Sequence, residues 1–580
     1  MNHKIMHMNS PKTILWILLV LMLNACGRRA LRGDADNGGL FMPDGFEALV
    51  VADSCGPARH LAVNSNGDVY VKLRINEGDS GNVAMRDTNG DGRADTIVRF
   101  GDYPNDGSLA TEMRIHKGYL YYSSEKVIYR QRLVPGELIP KTPVETVLTD
   151  DHPHGSHWHI TKPVAFDDKG YMYVPFGSPS NACSDLSVTP GGTPRSPGIM
   201  PCPERELHGG IWRFPADRIG LTQRDGQRYA TGIRSVVGIA WHPSQRKLYA
   251  MQHGRDNLHM LWPDRFSPWQ NALLPAEEML EVREGDDYGW PYAYYDQETG
   301  ANMLAPEYGG DGRKVSQDTT LDLPAQAFPG HWAPNDMIFY SGDQFPARYR
   351  EGAFVAFHGS TNRSPYPQAG YFVCFVPFKD GRPSGKWEVF ADGFAGVDTI
   401  VNTSDARYRP MGLAEGPDGS LYVSDSRKGK IWRIMYKGGP DFKEQQLQKM
   451  EARKQRTNLK TPDQAADNLF LEKAVPGAKL YNTYCASCHQ RDGKGDELRF
   501  PPIAGSEWVT GDSMRLIRII LNGAQGAMQV SGKSYNNIMP AFSFLRDEDA
   551  AELVNHIRNS FGNRAAPVKK EDVATARSMK

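Results

Sequence analysis

A Gly, Asp or Asn turn followed by a short alternation of β-branched and aromatic residues recurs between about residues 45 and 437, and nothing else in the sequence limits the possible folds so strongly. The units are Asn66-Gly67-Asp68-Val69-Tyr70-Val71, Lys117-Gly118-Tyr119-Leu120-Tyr121-Tyr122, Asp168-Lys169-Gly170-Tyr171-Met172-Tyr173-Val174, Gln245-Arg246-Lys247-Leu248-Tyr249-Ala250 and Asp418-Gly419-Ser420-Leu421-Tyr422-Val423. Gly352-Ala353-Phe354-Val355-Ala356-Phe357 supplies a further unit in the widest gap. Period-two alternation after a turn marks a hairpin strand. A lone hairpin cannot bury both faces, so repeated hairpins are expected to pack radially as blades, and these units predict a six-bladed β-propeller. A large β-sandwich or jelly roll is the architectural alternative.

The pattern stops at Lys437. Gly438, Gly439 and Pro440 close it, and a charged, Gln/Lys-rich stretch to about Asn458 is expected as an exposed helix or flexible tether. The chain is therefore read as mainly β: a propeller over residues 43–437, a charged linker over 438–473, and a small all-α domain over 474–563. In this last segment Cys485-Ala486-Ser487-Cys488-His489 reads C-x-x-C-H, the attachment signature of a c-type haem. Two thiols bond to the porphyrin edge, and His489 is placed to ligate the iron. Met539, followed by Pro540, is the expected second axial ligand; a thioether opposite imidazole raises the iron potential and suits electron transfer. The stretch Phe500-Pro501-Pro502-Ile503-Ala504-Gly505-Ser506 resembles the loop along the haem edge of small bacterial cytochromes c. A thioredoxin-like C-x-x-C is the competing explanation, and it accounts for neither His489 nor Met539. Leu553, Ile557 and Phe561 at helical spacing predict a closing helix, while the polar tail beyond Ala565 is expected to be loose.

With 580 residues, about 2–4 domains are expected. A net charge of -1, with no strongly basic block, argues against a nucleic-acid partner. Near the start, Lys4, His7 and Lys12 precede an apolar run at 14–23 that is short for a bilayer span. Leu23-Asn24-Ala25-Cys26 follows, so residues 1–26 resemble a bacterial lipoprotein signal with cleavage before a lipidated Cys26. An ordinary signal peptide with an accidental cysteine is the alternative. Either reading, like covalent haem attachment, implies export to the bacterial periplasm, and the first adds a membrane anchor. Cys183 and Cys202 share a Pro/Gly-rich loop and are able to pair in an oxidising compartment; Cys55 and Cys374 read as buried thiols.

Ligand chemistry in a propeller belongs at the mouth of its central channel, on loops within and between blades. Four such stretches carry reactive residues: residues 151–159, with four histidines; Ala230-Thr231-Gly232-Ile233-Arg234; Gln252-His253-Gly254-Arg255-Asp256-Asn257; and Ser404-Asp405-Ala406-Arg407-Tyr408-Arg409-Pro410. In a strand His157 and His159 share a face, which suits two metal ligands, with a buried polar loop as the plainer alternative. Arg407 and Arg409 alternate likewise, so both forks could aim at one anion and, with Arg234, floor a carboxylate site; a solvated ion-pair strand is the alternative. Asp87-Thr88-Asn89-Gly90-Asp91-Gly92-Arg93-Ala94-Asp95 has calcium-loop spacing but Val98 where a bidentate glutamate is needed, so a turn stabilised by its own side chains is favoured.

Together these stretches resemble the soluble quinoprotein sugar dehydrogenases, including the sorbosone and pyranose dehydrogenases, over roughly residues 43–437. The resemblance rests on Tyr229-Ala230-Thr231-Gly232-Ile233-Arg234, Gly238-Ile239-Ala240-Trp241-His242-Pro243, Gly254-Arg255-Asp256, Tyr288-Gly289-Trp290-Pro291, Ala356-Phe357-His358-Gly359-Ser360 with Asn362-Arg363, and Arg407-Tyr408-Arg409. It implies a six-bladed propeller holding pyrroloquinoline quinone (PQQ) and calcium, and several such proteins carry a fused cytochrome. It implies a catalytic base at His157, ten positions before Asp167, with His159 as the nearest competitor. It implies PQQ contacts from Arg234, His253, Arg363, Arg407 and Arg409, calcium on the backbone carbonyls of Gly254 and Arg255, and substrate-side positions for His331 and Trp332. Ser235 and Val236 depart from the asparagine and proline usual after the arginine.

The activity so implied is oxidation of an aldose, sorbosone-like sugar or polyol. Electrons would pass one at a time from reduced quinone to haem c and on to an external acceptor. A carbohydrate- or protein-binding propeller beside an unrelated electron carrier, and a calcium lactonase-type propeller, are the rival readings. A lactonase has no need of the arginine set.

Overall fold

The computed structural model describes residues 31–579 apart from 78–79, 105, 108, 153–158, 185–191, 440–441, 444, 463–474 and 497–498. Cys26 and His157 lie outside the described residues. Six sheets form the propeller, antiparallel except where the short strand Leu221–Thr222 pairs parallel with the outer strand of blade two. Blade one runs Ala58–Val63, Val69–Glu77, Ser80–Arg86, Thr96–Phe100, and blade two Met113–His116, Tyr119–Ser123, Val127–Arg132, Glu145–Thr149. Blade three is Ala165–Phe166, Tyr171–Phe176, Gly210–Pro215, Gln227–Thr231, and blade four Val236–His242, Lys247–Gln252, Glu277–Val282, Gln326–Phe328. Blade five is Pro334–Phe339, Ala353–Phe357, Phe372–Val376, Glu388–Ala391. Each turn-and-strand unit read from the sequence ends in the second strand of a blade, the most fully buried position in the sheet.

Blade six is assembled from both ends of the propeller. Pro410–Glu415, Leu421–Asp425 and Ile431–Tyr436 come from its end, and Phe46–Ala52 from its beginning adds the outer strand, Phe46 opposite Tyr436. The ring is thereby closed by main-chain hydrogen bonds, which removes the mismatch of an open first and last blade. Phe46 anchors the closure, its ring centre 4.9 Å from Phe345 and 5.0 Å from Phe390. At the axis, His60 joins blades: its Nε2 lies 2.8 Å from the Asn335 carbonyl and its Nδ1 3.9 Å from Glu112.

Of the two forms expected for the charged stretch, the helix is the one that forms, with most of its residues not buried, and it is strapped to the propeller. The helix Gln445–Arg453 buries Met450, pairs Arg453 with Asp392 at 2.6 Å, and leads to Asn458, whose carbonyl accepts from Gly370 N–H at 2.9 Å. One apolar residue and one arginine within a charged stretch suffice for this, which is why composition alone suggested solvent.

In the C-terminal domain, helix Pro476–Tyr484 crosses helix Asp547–Asn559 at Gly477, where a Cβ would lie 2.3 Å from the Glu552 carbonyl oxygen. Only glycine permits that approach. Leu553 and Ile557 are buried, as the spacing predicts. The domain also carries a short hairpin, Met528–Val530 with Lys533–Tyr535. The tail expected to be loose forms a helix, Lys570–Ser578, that buries Val573 and Ala576 and pairs Arg577 with Asp547 at 2.7 Å. Its two apolar residues sit three apart on one helical face, too sparse a signal to stand out in a polar tail.

Candidate active site and haem pocket

Strand alternation puts every second-to-third-strand loop and every blade-to-blade connection on one face of the propeller. His159, Arg234, residues 253–257, residues 358–371 and residues 392–409 all lie in such segments, so chain topology gathers stretches far apart in sequence at one channel mouth.

Asp256 is the hub of what gathers there. Arg234 donates from Nη2 to its carboxylate and from Nη1 to the Gly254 carbonyl, both at 2.6 Å. Asn362 donates to the other carboxylate oxygen at 2.5 Å, and His331 Nδ1 lies 3.6 Å away. Burial pushes Asp256 up, but the Arg234 and His331 charges outweigh it and hold the carboxyl well below its usual range. The sequence reading quoted Asp256 within its motif without giving it a role; its centrality appears only when Arg234, Asn362 and His331 converge.

His159 is buried in the same site and donates from Nδ1 to the Ser178 carbonyl at 2.7 Å, which leaves the Nε2 lone pair as the basic position. Burial, and next the Arg234 charge, hold it well below the usual histidine value, so it stays neutral. His253 donates from Nε2 to the Pro334 carbonyl at 3.0 Å, and burial lowers it to about 4. Arg363 is 2 % exposed; Nη2 donates to the Lys460 carbonyl at 3.2 Å, while Nε and Nη1 find no hydrogen-bond partner among the described residues. Buried donors left this way are costly and point to an absent anionic ligand.

Arg409 is fixed by the His358 segment, donating to the His358 carbonyl at 3.1 Å, to its Nδ1 at 2.9 Å and to the Gly359 carbonyl at 2.6 Å. The shared face expected for Arg407 and Arg409 does not form. Residues 406–409 precede the strand at Pro410, so alternation does not apply, and Arg407 is exposed with its guanidinium 5.2 Å from the Tyr408 ring centre. Arg59, unremarked in the sequence, is the missed cation: it is buried, bonded to the Ala110 carbonyl at 3.2 Å, and lowered to about 9 by burial and then by Arg74 and Arg409. Trp332, expected on the substrate side, is buried, with its ring edge-on against Phe357 and Phe372 at 5.3 Å. The Asp87 loop is a self-bonded turn: Asp87 accepts from Gly90 and Gly92 N–H at 2.7 Å, and Asp95 from Thr88 N–H at 3.0 Å. Cys183 and Cys202 are bridged.

In the C-terminal domain one apolar pocket is lined by Cys485, Cys488, His489, Pro501, Ile503, Leu516, Ile520, Met528, Met539 and Phe542. His489 donates from Nδ1 to the Pro501 carbonyl at 2.8 Å, which fixes the ring and leaves Nε2 for a metal. Both thiols, a neutral imidazole and a thioether thus converge on an apolar cavity, the donor set of a low-spin haem. Replacing Met539 by alanine is expected to abolish the weak sulfur-to-iron band at the red end of the visible spectrum; survival of the band would assign the sixth ligand to Met528, which faces the same pocket.

A propeller whose mouth holds buried arginines, joined to a cytochrome with a complete attachment site, defines a class of electron-transferring fusion protein. The TrAA12-like family profile matches residues 40–437 and the cytochrome c profile residues 474–561. The chain belongs to the TrAA12-like family, with a cytochrome c domain at its C-terminal end. Its C-terminal part is 41% identical over 108 residues to cytochrome c-552 of Thermus thermophilus, covering 18% of this chain and 81% of that protein. An uncharacterised protein of Borreliella burgdorferi is 27% identical over 220 residues, covering 38% of this chain and 51%, about half, of that relative. The propeller fold is shared with the holo pyranose dehydrogenase PQQ domain of Coprinopsis cinerea, TM-score 0.54, 19% identity, covering 68% of this chain and 97% of that one. It is shared too with a calcium structure of a Trichoderma reesei family AA12 protein, TM-score 0.53, 17% identity, covering 69% of this chain and 97% of that one.

Proposed function

We propose that the propeller oxidises a sugar or polyol with PQQ and calcium, and that its electrons pass through the fused haem c to an external acceptor. The observation that carries this reading is Arg363, whose buried donors Nε and Nη1 find no partner among the described residues, in a loop on the same face of the propeller as Arg234, His253 and Arg409. A calcium lactonase or a neutral-carbohydrate binder has no use for such a set. Family membership and the PQQ domain of the structurally similar pyranose dehydrogenase support it.

The residues present fit both groups. Planar guanidinium forks match the carboxylates of PQQ. Calcium would rest on the main-chain oxygens of Gly254 and Arg255, beside Asp256, with Arg234 giving up the Gly254 carbonyl to which it donates at 2.6 Å. When bound, the quinone supplies a two-electron acceptor and calcium a Lewis acid. The chain itself supplies a neutral imidazole that takes the substrate hydroxyl proton at Nε2. His159 fits that role by geometry, and His157 is its sequence-based competitor. Arg363 and Arg409 stabilise negative charge developing on the acceptor.

Anaerobic addition of aldoses and polyols to the quinone- and calcium-loaded protein is expected to reduce the haem, seen as sharpening of its visible bands. If no sugar or polyol does so, the propeller is a binding module beside an unrelated electron carrier. Export and anchoring complete the proposal: residues 1–26 direct the chain to the bacterial periplasm, and Cys26 is lipidated. No helix among the described residues is long and apolar enough to cross a membrane. Mass spectrometry of the mature N-terminus is expected to show diacylglycerol-modified Cys26; an unmodified start elsewhere leaves the protein without this anchor.

A further inference from the structure

The cytochrome domain does not hang free of the propeller; it sits on the face that carries the arginines. Ser487, between the two haem cysteines, lies 3.5 Å from the Met260 sulfur of the propeller, and Met260 itself lines the haem pocket. Gln490, next to His489, is buried against Ser364 and Gln368, 3.4 Å from each, and Asn402 donates to the Gly495 carbonyl. Arg499 completes the contact: it lines the haem pocket, is held by Asp496 at 2.9 Å, and donates to Thr361 of blade five at 3.4 Å. Thr361 immediately precedes Asn362 and Arg363, two residues of the quinone site.

We propose that Arg499, a residue of the cytochrome domain, is a binding residue of the propeller's quinone site, closing the arginine set from the haem side and contacting a carboxylate of the quinone. This rests on the quinone reading above and extends it to a residue outside the propeller. Three further observations support it. The Arg499 charge is felt at both Arg409 and Arg74, and Arg409 and Arg74 in turn act on Arg59, so four guanidinium groups crowd one region. Like charges gathered in one region repel one another, and a polycarboxylate relieves that repulsion. The carboxylates acting on this group are Asp496, already paired with Arg499, and Glu125 beside Arg74. Finally, the Arg499 side chain is 40% exposed even with the domains docked, so it is not closed off from a ligand. A single residue then touches both redox groups and ties quinone retention to cytochrome docking.

The test is a titration of PQQ with calcium, without sugar, into the full haem-loaded chain and its Arg499→Ala and Arg499→Lys variants, followed by quenching of protein fluorescence. Arg499→Ala is expected to weaken quinone binding about 10–100-fold, the range for one charge-assisted contact, and Arg499→Lys to weaken it less, since lysine keeps the charge but not the fork. Thr361→Val, which releases Arg499 from the propeller side without touching the cytochrome, is expected to weaken it by a few-fold. This second variant carries the test if Arg499→Ala loses haem. Equal affinity in wild type and Arg499→Ala overturns the proposal. So does a shifted haem potential with unchanged quinone affinity, which would assign Arg499 to the haem alone. Failure of the wild-type chain itself to bind the quinone overturns the functional reading and this one with it.

Discussion

Replacing His159 with alanine is expected to slow sugar-driven haem reduction by ~10²–10⁴-fold, the range set by loss of a positioned general base. Quinone affinity is expected to stay nearly unchanged, because the arginines carry it. The imidazole is oriented at Nδ1 by Ser178, whose carbonyl lies at 2.7 Å and hydroxyl at 3.2 Å, and by the close backbone of Gly177, where a Cβ would come within 2.0 Å of the His159 carbonyl oxygen. Its proton affinity is held well below the usual histidine value, so the neutral form persists as pH falls through 6.5. The rate is therefore expected to show no acid-side loss near neutrality from this group. Stopped-flow haem reduction at saturating sugar, for His159→Ala and His157→Ala side by side, checks the assignment. A severe loss in His157→Ala with a mild one in His159→Ala moves the base two residues along the same loop.

Arg363→Met is expected to give the second-largest effect, and in two opposite directions. Quinone binding should weaken on the order of 10²-fold, since a buried two-donor contact to a carboxylate is lost. The quinone-free protein should melt no lower, and by about 1–2 kcal/mol higher if the methionine packs well, because an unpaired buried charge is replaced by apolar volume. Burial already lowers the Arg363 pKa to about 10, a sign that its surroundings in the protein disfavour its charge. Calorimetric quinone titration and thermal unfolding of the quinone-free chain read the two arms separately. Unchanged affinity with a lowered melting point would make Arg363 a structural strap for the chain at Lys460, whose carbonyl it contacts.

Arg363 and Arg407 show how far one-dimensional reading reaches. Both were expected at the cofactor from the resemblance of their motifs, and Arg407 also from alternation with Arg409. Alternation holds only where a ladder enforces it, and the strand begins at Pro410. The neighbouring arginines are consequently free to diverge, Arg409 inward to His358 and Arg407 outward over Tyr408. Arg59 carried no local signal, because its neighbours in the site come from the segment before blade six, from the second strand of blade one and from the connection to blade two. The docked helix Gln445–Arg453 and the final helix Lys570–Ser578 were obscured for another reason: each has too few apolar residues to reveal a buried face by composition.

What the sequence determined by itself is everything set by short-range chemistry. Turn-and-strand units specify hairpins, their number specifies the blades, and C-x-x-C-H with a following methionine specifies the haem, because each needs only neighbours within a few residues. What tertiary structure decided is everything that depends on closure and docking. Pairing of Phe46–Ala52 with Ile431–Tyr436 brings the ends of the propeller together, and ring closure then aligns loops from separate blades on one mouth. Docking of Ser487, Gln490 and Arg499 against Met260, Ser364 and Thr361 sets the haem over that mouth. These contacts join residues more than a hundred positions apart, and no local periodicity encodes them; the strand pairing arises because burying both faces of every blade requires a closed ring, and the docking arises from side chains that meet only once both domains have folded.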